Sequence, residues 1–87
     1  MEFNKILENI INDIIHSNSG KTFTSYELFK KHMSKNDFKD DFDYLSDLHN
    51  QLSNALEEIN LEIEFMEDGI VGLYYRIPFI VVQKNID

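Results

Sequence analysis

The sequence predicts an α+β domain of three helices followed by a small antiparallel β-sheet or hairpin. Three patterns carry that expectation. A continuous apolar stripe at helical spacing opens the chain, and a capping box starts a second helical stretch. A two-residue alternation then follows a third amphipathic stretch and runs into Asp68-Gly69. The 87 residues suffice for one compact domain with one core and are too few for two, so 1–87 is read as a single domain. The hydrophobic fraction of 43% is too high for a disordered chain.

Helix 1 is expected within 1–18. Phe3, Ile6, Leu7, Ile10, Ile11, Ile14 and Ile15 follow the i, i+3, i+4 rule over residues 3–15, and Ser17-Asn18-Ser19-Gly20 ends the stripe with turn-forming residues. Lys21-Thr22-Phe23 is extended in character and reads as a small paired strand. Helix 2 is expected over 24–34, opened by the capping box Thr24-x-x-Glu27, with Phe23 and Leu28 at the two positions of a hydrophobic staple. Leu28, Phe29 and Met33 form its apolar side, and Ser34-Lys35-Asn36-Asp37 breaks it.

Helix 3 is expected over 41–59, starting at Asp41 or Asp43. At 100° per residue Leu45, Leu48, Leu52, Leu56 and Ile59 gather on one side, while Asp43, Asp47, Asn50, Gln51, Asn54, Glu57 and Glu58 fall opposite. The hairpin is expected over 61–78. Leu61, Ile63 and Phe65 alternate with Glu62 and Glu64 on a half-buried strand, Asp68-Gly69 makes the turn, Ile70 to Ile77 returns, and Pro78 stops or offsets the return strand. Residues 79–87 read as a C-terminal strand or tail. Phe79 to Val82 is apolar on both strand faces and is read as buried or paired, with homodimerisation through an open edge as the alternative. Monomer and homodimer both stay open. Tyr74 and Tyr75, adjacent on a strand, must point one inward and one outward.

Composition excludes several classes of function. With no Cys there is neither a disulfide framework nor thiolate chemistry. Charges at Glu2, Lys5, Glu8 and Asp13 argue against a signal peptide or a membrane span at the start, and the longest apolar run is only Phe79-Ile80-Val81-Val82. A cytoplasmic protein with no membrane partner is expected. His16, His32 and His49 show no metal-ligand spacing, and His49 lies near the apolar stripe of helix 3, where a core or boundary histidine is expected. The acids Asp37, Asp40, Asp41 and Asp43 fail as a calcium loop, because positions six and twelve counted from Asp37 are Phe42 and Leu48 instead of Gly and Glu. The three glycines stand apart, so no phosphate loop exists. No catalytic residue, metal or cofactor is expected.

Charge is the informative feature. The net charge is −8, yet between Asp37 and Asp68 eleven acids face only Lys39, so that stretch carries −10 and the rest of the chain +2. An acidic run in a small domain commonly serves solubility alone. Here Asp43, Asp47, Asn50, Asn54 and Glu58 share one helix face over about 22 Å, a row that can present the charge spacing of a phosphate backbone.

The element order, with Thr24-Ser25-Tyr26-Glu27-Leu28 opening the second helix, resembles the winged-helix domain. Leu52, Asn60 to Phe65 and Gly72 to Pro78 also look like the helix–hairpin end of the winged domain in the bacterial RNA polymerase delta subunit. That resemblance implies a third helix that enters a DNA groove and a hairpin that touches backbone, and both uses need Lys and Arg. This chain departs from the pattern by placing acids on those two elements, so direct nucleic-acid binding by this surface is not expected. In size and charge the chain looks like small acidic phage inhibitors such as anti-CRISPR proteins. The expected function is therefore a small acidic inhibitor, phage-encoded and DNA-mimicking, that blocks a basic nucleic-acid-binding protein of anti-CRISPR or anti-restriction type. Asp43, Asp47, Asn50, Asn54, Glu57, Glu58, Glu62 and Glu64 are the candidate partner-binding residues. The alternative is a winged-helix transcription regulator or RNA polymerase accessory domain, which needs Lys21, Lys30, Lys31, Lys35 and Arg76 to form a basic patch elsewhere.

Overall fold

The computed structural model describes residues 3–67 and 73–84. Helix α1 spans Phe3–Ile15, α2 Ser25–His32 and α3 Phe42–Glu58; strand β1 spans Leu61–Phe65 and β2 Phe79–Gln83, with a 3₁₀ turn at Tyr74–Arg76 between the strands. This is the expected α+β arrangement of three helices and a small antiparallel sheet. Its element order is compatible with a winged-helix-like description in the loose sense.

Each helix forms where its apolar spacing and caps agree. Ile6, Ile10 and Ile14 turn the α1 stripe into the core, whereas Ile15, the last residue of that stripe, stays 54% exposed at the helix end. Gly20 takes φ 82°, which lets the chain reverse after α1. At the start of α2 the Glu27 backbone N–H donates to Thr24 Oγ1 (3.1 Å), and Leu28, Phe29 and Met33 are all buried. Asp41 performs the same service for α3, accepting from the Tyr44 N–H (2.9 Å). The α3 core face is Leu45, Leu48, His49, Leu52 and Leu56. Ile59 lies beyond the helix and is exposed, because Asn60 adopts φ 63°, a left-handed value that Asn tolerates, and redirects the chain into β1.

The strand pairing differs from expectation. Among the described residues β1 pairs not with 73–77 but antiparallel with β2, in the register Leu61↔Gln83, Ile63↔Val81 and Phe65↔Phe79. The stretch read as a C-terminal strand or tail thus supplies, over Phe79–Gln83, the paired partner of β1. Residues 74–76 leave the strand path because Tyr75 and the following Ile77 are drawn into the helical core, at 5% and 6% exposure, while Tyr74 faces outward. Pro78 then marks the start of pairing, its carbonyl accepting from the Met66 N–H (2.9 Å). The Asp68-Gly69 turn lies outside the described residues. The strand expected at Lys21 to Phe23 contracts to a single bridge, in which Phe23 and Phe79 exchange both backbone hydrogen bonds at 2.8 Å. Phe79, fully buried, is therefore held by Phe65 on one side and Phe23 on the other.

Candidate acidic interface

Helix α3 packs its leucines inward, so helical geometry alone decides where its polar residues go. Asp43, Asp47, Asn50, Asn54, Glu57 and Glu58 fall within an arc of about 100° centred opposite the buried face, and all six are exposed. They form one row along the outside of the helix. Asp43 sits in the first turn, where the positive end of the helix dipole favours it; Asp47 is held by Gln51 Nε2 at 2.8 Å.

Glu62 and Glu64 are exposed too, but they belong to a different surface. On β1 the half-buried Leu61 and Ile63 face the core, so the alternating glutamates point out through the other face of the sheet. In register they stand beside Val82 and Ile80 on β2. The eight sequence-predicted residues are all exposed, then, but they form a helix row of six and a separate sheet pair. Period and pleat place each residue on its own element; only the packing of β1 against α3 separates the two groups.

The structure also sorts the acids of the −10 stretch. Asp37 accepts from Ser34 Oγ (2.9 Å), Asp41 caps α3, and Asp40 pairs with Arg76 (3.0 Å). Asp43, Asp47, Glu57, Glu58, Glu62, Glu64 and Glu67 are exposed, and none takes part in an ion pair among the described residues. The cations considered for a basic patch are partly engaged. Lys31 bridges to Asp13 (3.0 Å), and Arg76 lies both on Asp40 and 4.2 Å over the Tyr26 ring. Hydrogen bonds from Lys31 and His32 hold the Asp13 carboxyl below its usual range.

Two further groups stand out. His49 is buried and lies 2.6 Å from Ser25 Oγ through Nδ1; burial lowers its pKa and keeps the ring neutral. Although Ser and His meet here, both are sealed inside the core, so the pair is a structural link between α2 and α3. Exposed aromatic residues stand at the start of α3 (Phe42), the end of β1 (Phe65) and the 3₁₀ turn (Tyr74), and the Phe65 and Tyr74 rings lie 5.6 Å apart. The helical wheel places Phe42 at the margin of the α3 apolar stripe, and one of Tyr74 and Tyr75 was expected to face outward. A surface groove of about 580 Å³ is lined by Asp13, Lys21, Phe23, Glu27 and Lys31 among others, and by none of the acidic row. Among the described residues no group of three His, Asp or Glu could hold a metal ion, and no helix is long and apolar enough to cross a membrane.

No family model, curated protein or solved structure matches this chain.

Proposed function

We propose that this chain is a small acidic protein-binding inhibitor, cytoplasmic and DNA-mimicking, that occupies the nucleic-acid site of a basic effector of anti-CRISPR or anti-restriction type. The observation that carries this reading is the row of unpaired acids along α3, the helix that a DNA-reading relative of this shape would line with Lys and Arg. Four carboxylates over about 22 Å compare with about six phosphates along one DNA strand at 3.4 Å per step, so the row carries a substantial part of a strand's charge. Asn50 and Asn54 fill the middle of the row and supply hydrogen-bonding groups between the charges.

A second feature supports function over solubility. Glu57 and Glu58 close α3, whose last turn contains no basic residue, so two carboxylates sit at the negative end of the helix dipole. Each such placement costs about 0.3–1 kcal/mol, and acids kept only for solubility have no reason to collect there.

The test uses purified effectors, for instance an RNA-guided nuclease and a restriction endonuclease, each loaded with a short fluorescent duplex. The chain is expected to release the duplex from its effector and not to bind the duplex itself. The variant Asp43→Lys/Asp47→Lys/Glu58→Lys should lose release by about tenfold or more with an unchanged circular dichroism spectrum. Salt-sensitive binding of the chain itself to the duplex overturns the proposal and favours the winged-helix regulator or polymerase accessory domain.

A further inference from the structure

In an antiparallel pair, successive residues of a strand turn their backbone groups alternately toward the partner and away from it. The bonds at the two ends of the β1–β2 pair fix which residues of β1 do which. The Met66 N–H donates to the Pro78 carbonyl (2.9 Å) and the Lys84 N–H to the Asn60 carbonyl (2.8 Å), so Asn60, Glu62, Glu64 and Met66 aim at β2. Phe79 agrees, because its N–H and C=O are both bonded to Phe23 on the far side of β2. Leu61, Ile63 and Phe65 therefore turn their N–H and C=O groups to the opposite edge of β1. Among the described residues no hydrogen bond reaches those groups, and no strand lies beyond β1.

An open edge of this kind is a template for another chain, and its side chains decide which chain fits. Glu62 and Glu64 stand on the outward face, exposed and outside the ion pairs among the described residues. Neither strand contains Lys or Arg, and Lys84, just past β2, also forms no ion pair among the described residues. On the other face Ile63 packs against the core and Phe65 remains 37% exposed.

A strand added antiparallel places its hydrogen-bonded residues opposite Leu61, Ile63 and Phe65. The residues opposite Glu62 and Glu64 then fall at the closely spaced positions, with Cα atoms about 4.5 Å apart, where cross-strand side chains meet most directly. Lys or Arg is favoured there, and Asp or Glu is repelled. A second copy of β1 fails by the same rule. About a two-fold axis at Ile63, Glu62 of each copy faces Glu64 of the other.

We propose that the open edge of β1 takes up an extended segment of a protein partner as a further antiparallel strand, one in which Lys or Arg alternates with apolar residues. The basic side chains pair with Glu62 and Glu64, and the apolar ones lie beside Ile63 and Phe65. The site is distinct from the acidic row of α3 and goes beyond it, since it engages the partner's backbone as well as its charge.

The probe is a short synthetic peptide alternating Lys and Val, added to the full chain while amide hydrogen exchange is followed by NMR. Without peptide, the Leu61, Ile63 and Phe65 amides are expected to exchange fast and those of Glu62 and Glu64 slowly. With it, all of them should be protected. Two N-methylated peptides of equal charge give the control. Methylation at Val removes the N–H groups that face β1, and methylation at Lys removes those that face away. The first should bind about tenfold or more weakly than the second. Glu62→Gln/Glu64→Gln should weaken binding of the unmodified peptide at low salt. Asp43→Lys/Asp47→Lys/Glu58→Lys, which alters only the α3 row, should keep the difference between the two methylated forms. Equal affinity of those two forms, or no gain of protection at Leu61, Ile63 and Phe65, overturns the proposal. So does a dimer, seen by sedimentation, in which these three amides are protected without peptide, because the edge then belongs to a second copy.

Discussion

Ser25 Oγ and His49 Nδ1 lie 2.6 Å apart, buried, and join the first turn of α2 to the middle of α3. The two atoms share one hydrogen bond, whose donor is set by the imidazole tautomer. The ring lies against Phe65 and Phe79, so it packs as an aromatic side chain while its Nδ1 is partnered by Ser25 inside the core.

That arrangement makes stability depend on pH in a definite direction. Burial puts the folded-state pKa of His49 below the ordinary imidazole value of 6.5. Below pH 6.5 the unfolded chain therefore binds a proton that the folded chain refuses, and stability falls as pH falls. Thermal melts from pH 8 downward should show a loss setting in below about pH 6.5. The double variant Ser25→Ala/His49→Phe should lack that component. An identical slope in the double variant would exclude His49 as its source.

Removing Ser25 alone should cost more than removing the pair. Ser25→Ala strands His49 Nδ1 in the core, a penalty of about 1–3 kcal/mol, whereas the double variant leaves no polar atom unpartnered. Urea denaturation of the two variants distinguishes them: Ser25→Ala should be the less stable.

Phe79 should be the most sensitive position in the sheet. It is fully buried and bridges Phe65 and Phe23 through both strand edges. Phe→Ala in such a site costs about 3–5 kcal/mol, against a total of about 4–13 kcal/mol for a chain of this length. Phe79→Ala should melt far below the unaltered protein, or fail to show a cooperative transition by circular dichroism.

The end of α3 should behave in the opposite way. Glu57→Lys/Glu58→Lys removes two carboxylates from the negative pole of the helix and should stabilise the domain by about 0.5–2 kcal/mol in low salt. The same variant should displace DNA from effectors less well. A gain in stability with loss of binding would mark these acids as retained for function; a loss of stability would show that they have partners within the fold.

Capping offers a smaller, local check. Asp41→Ala and Thr24→Ala each remove an oxygen that accepts from the third backbone N–H of its helix, at 2.9 and 3.1 Å. Each should cost about 1 kcal/mol in urea denaturation, and Asp41→Asn should restore most of the loss at its position.

What depends on neighbours along the chain was legible from the residues alone. The α1 stripe, both side-chain caps, the inward Leu45, Leu48, Leu52 and Leu56, and the outward Asp43 to Glu58 row all follow from period and local hydrogen bonding. The exposed faces of Glu62 and Glu64 follow from the pleat.

What depends on residues distant in sequence was settled only by packing. A two-residue alternation says that Leu61 to Phe65 is a strand but does not name its partner. Core burial of Tyr75 and Ile77 took 74–76 out of the strand path and gave the pairing to Phe79–Gln83. Likewise, no local pattern joins Phe42 to Tyr75, Phe65 to Tyr74, or Ser25 to His49, since those contacts exist only once elements distant in sequence are packed together. Short-range periodicity names the face a side chain occupies; the competition of distant apolar groups for one small core decides what that face meets.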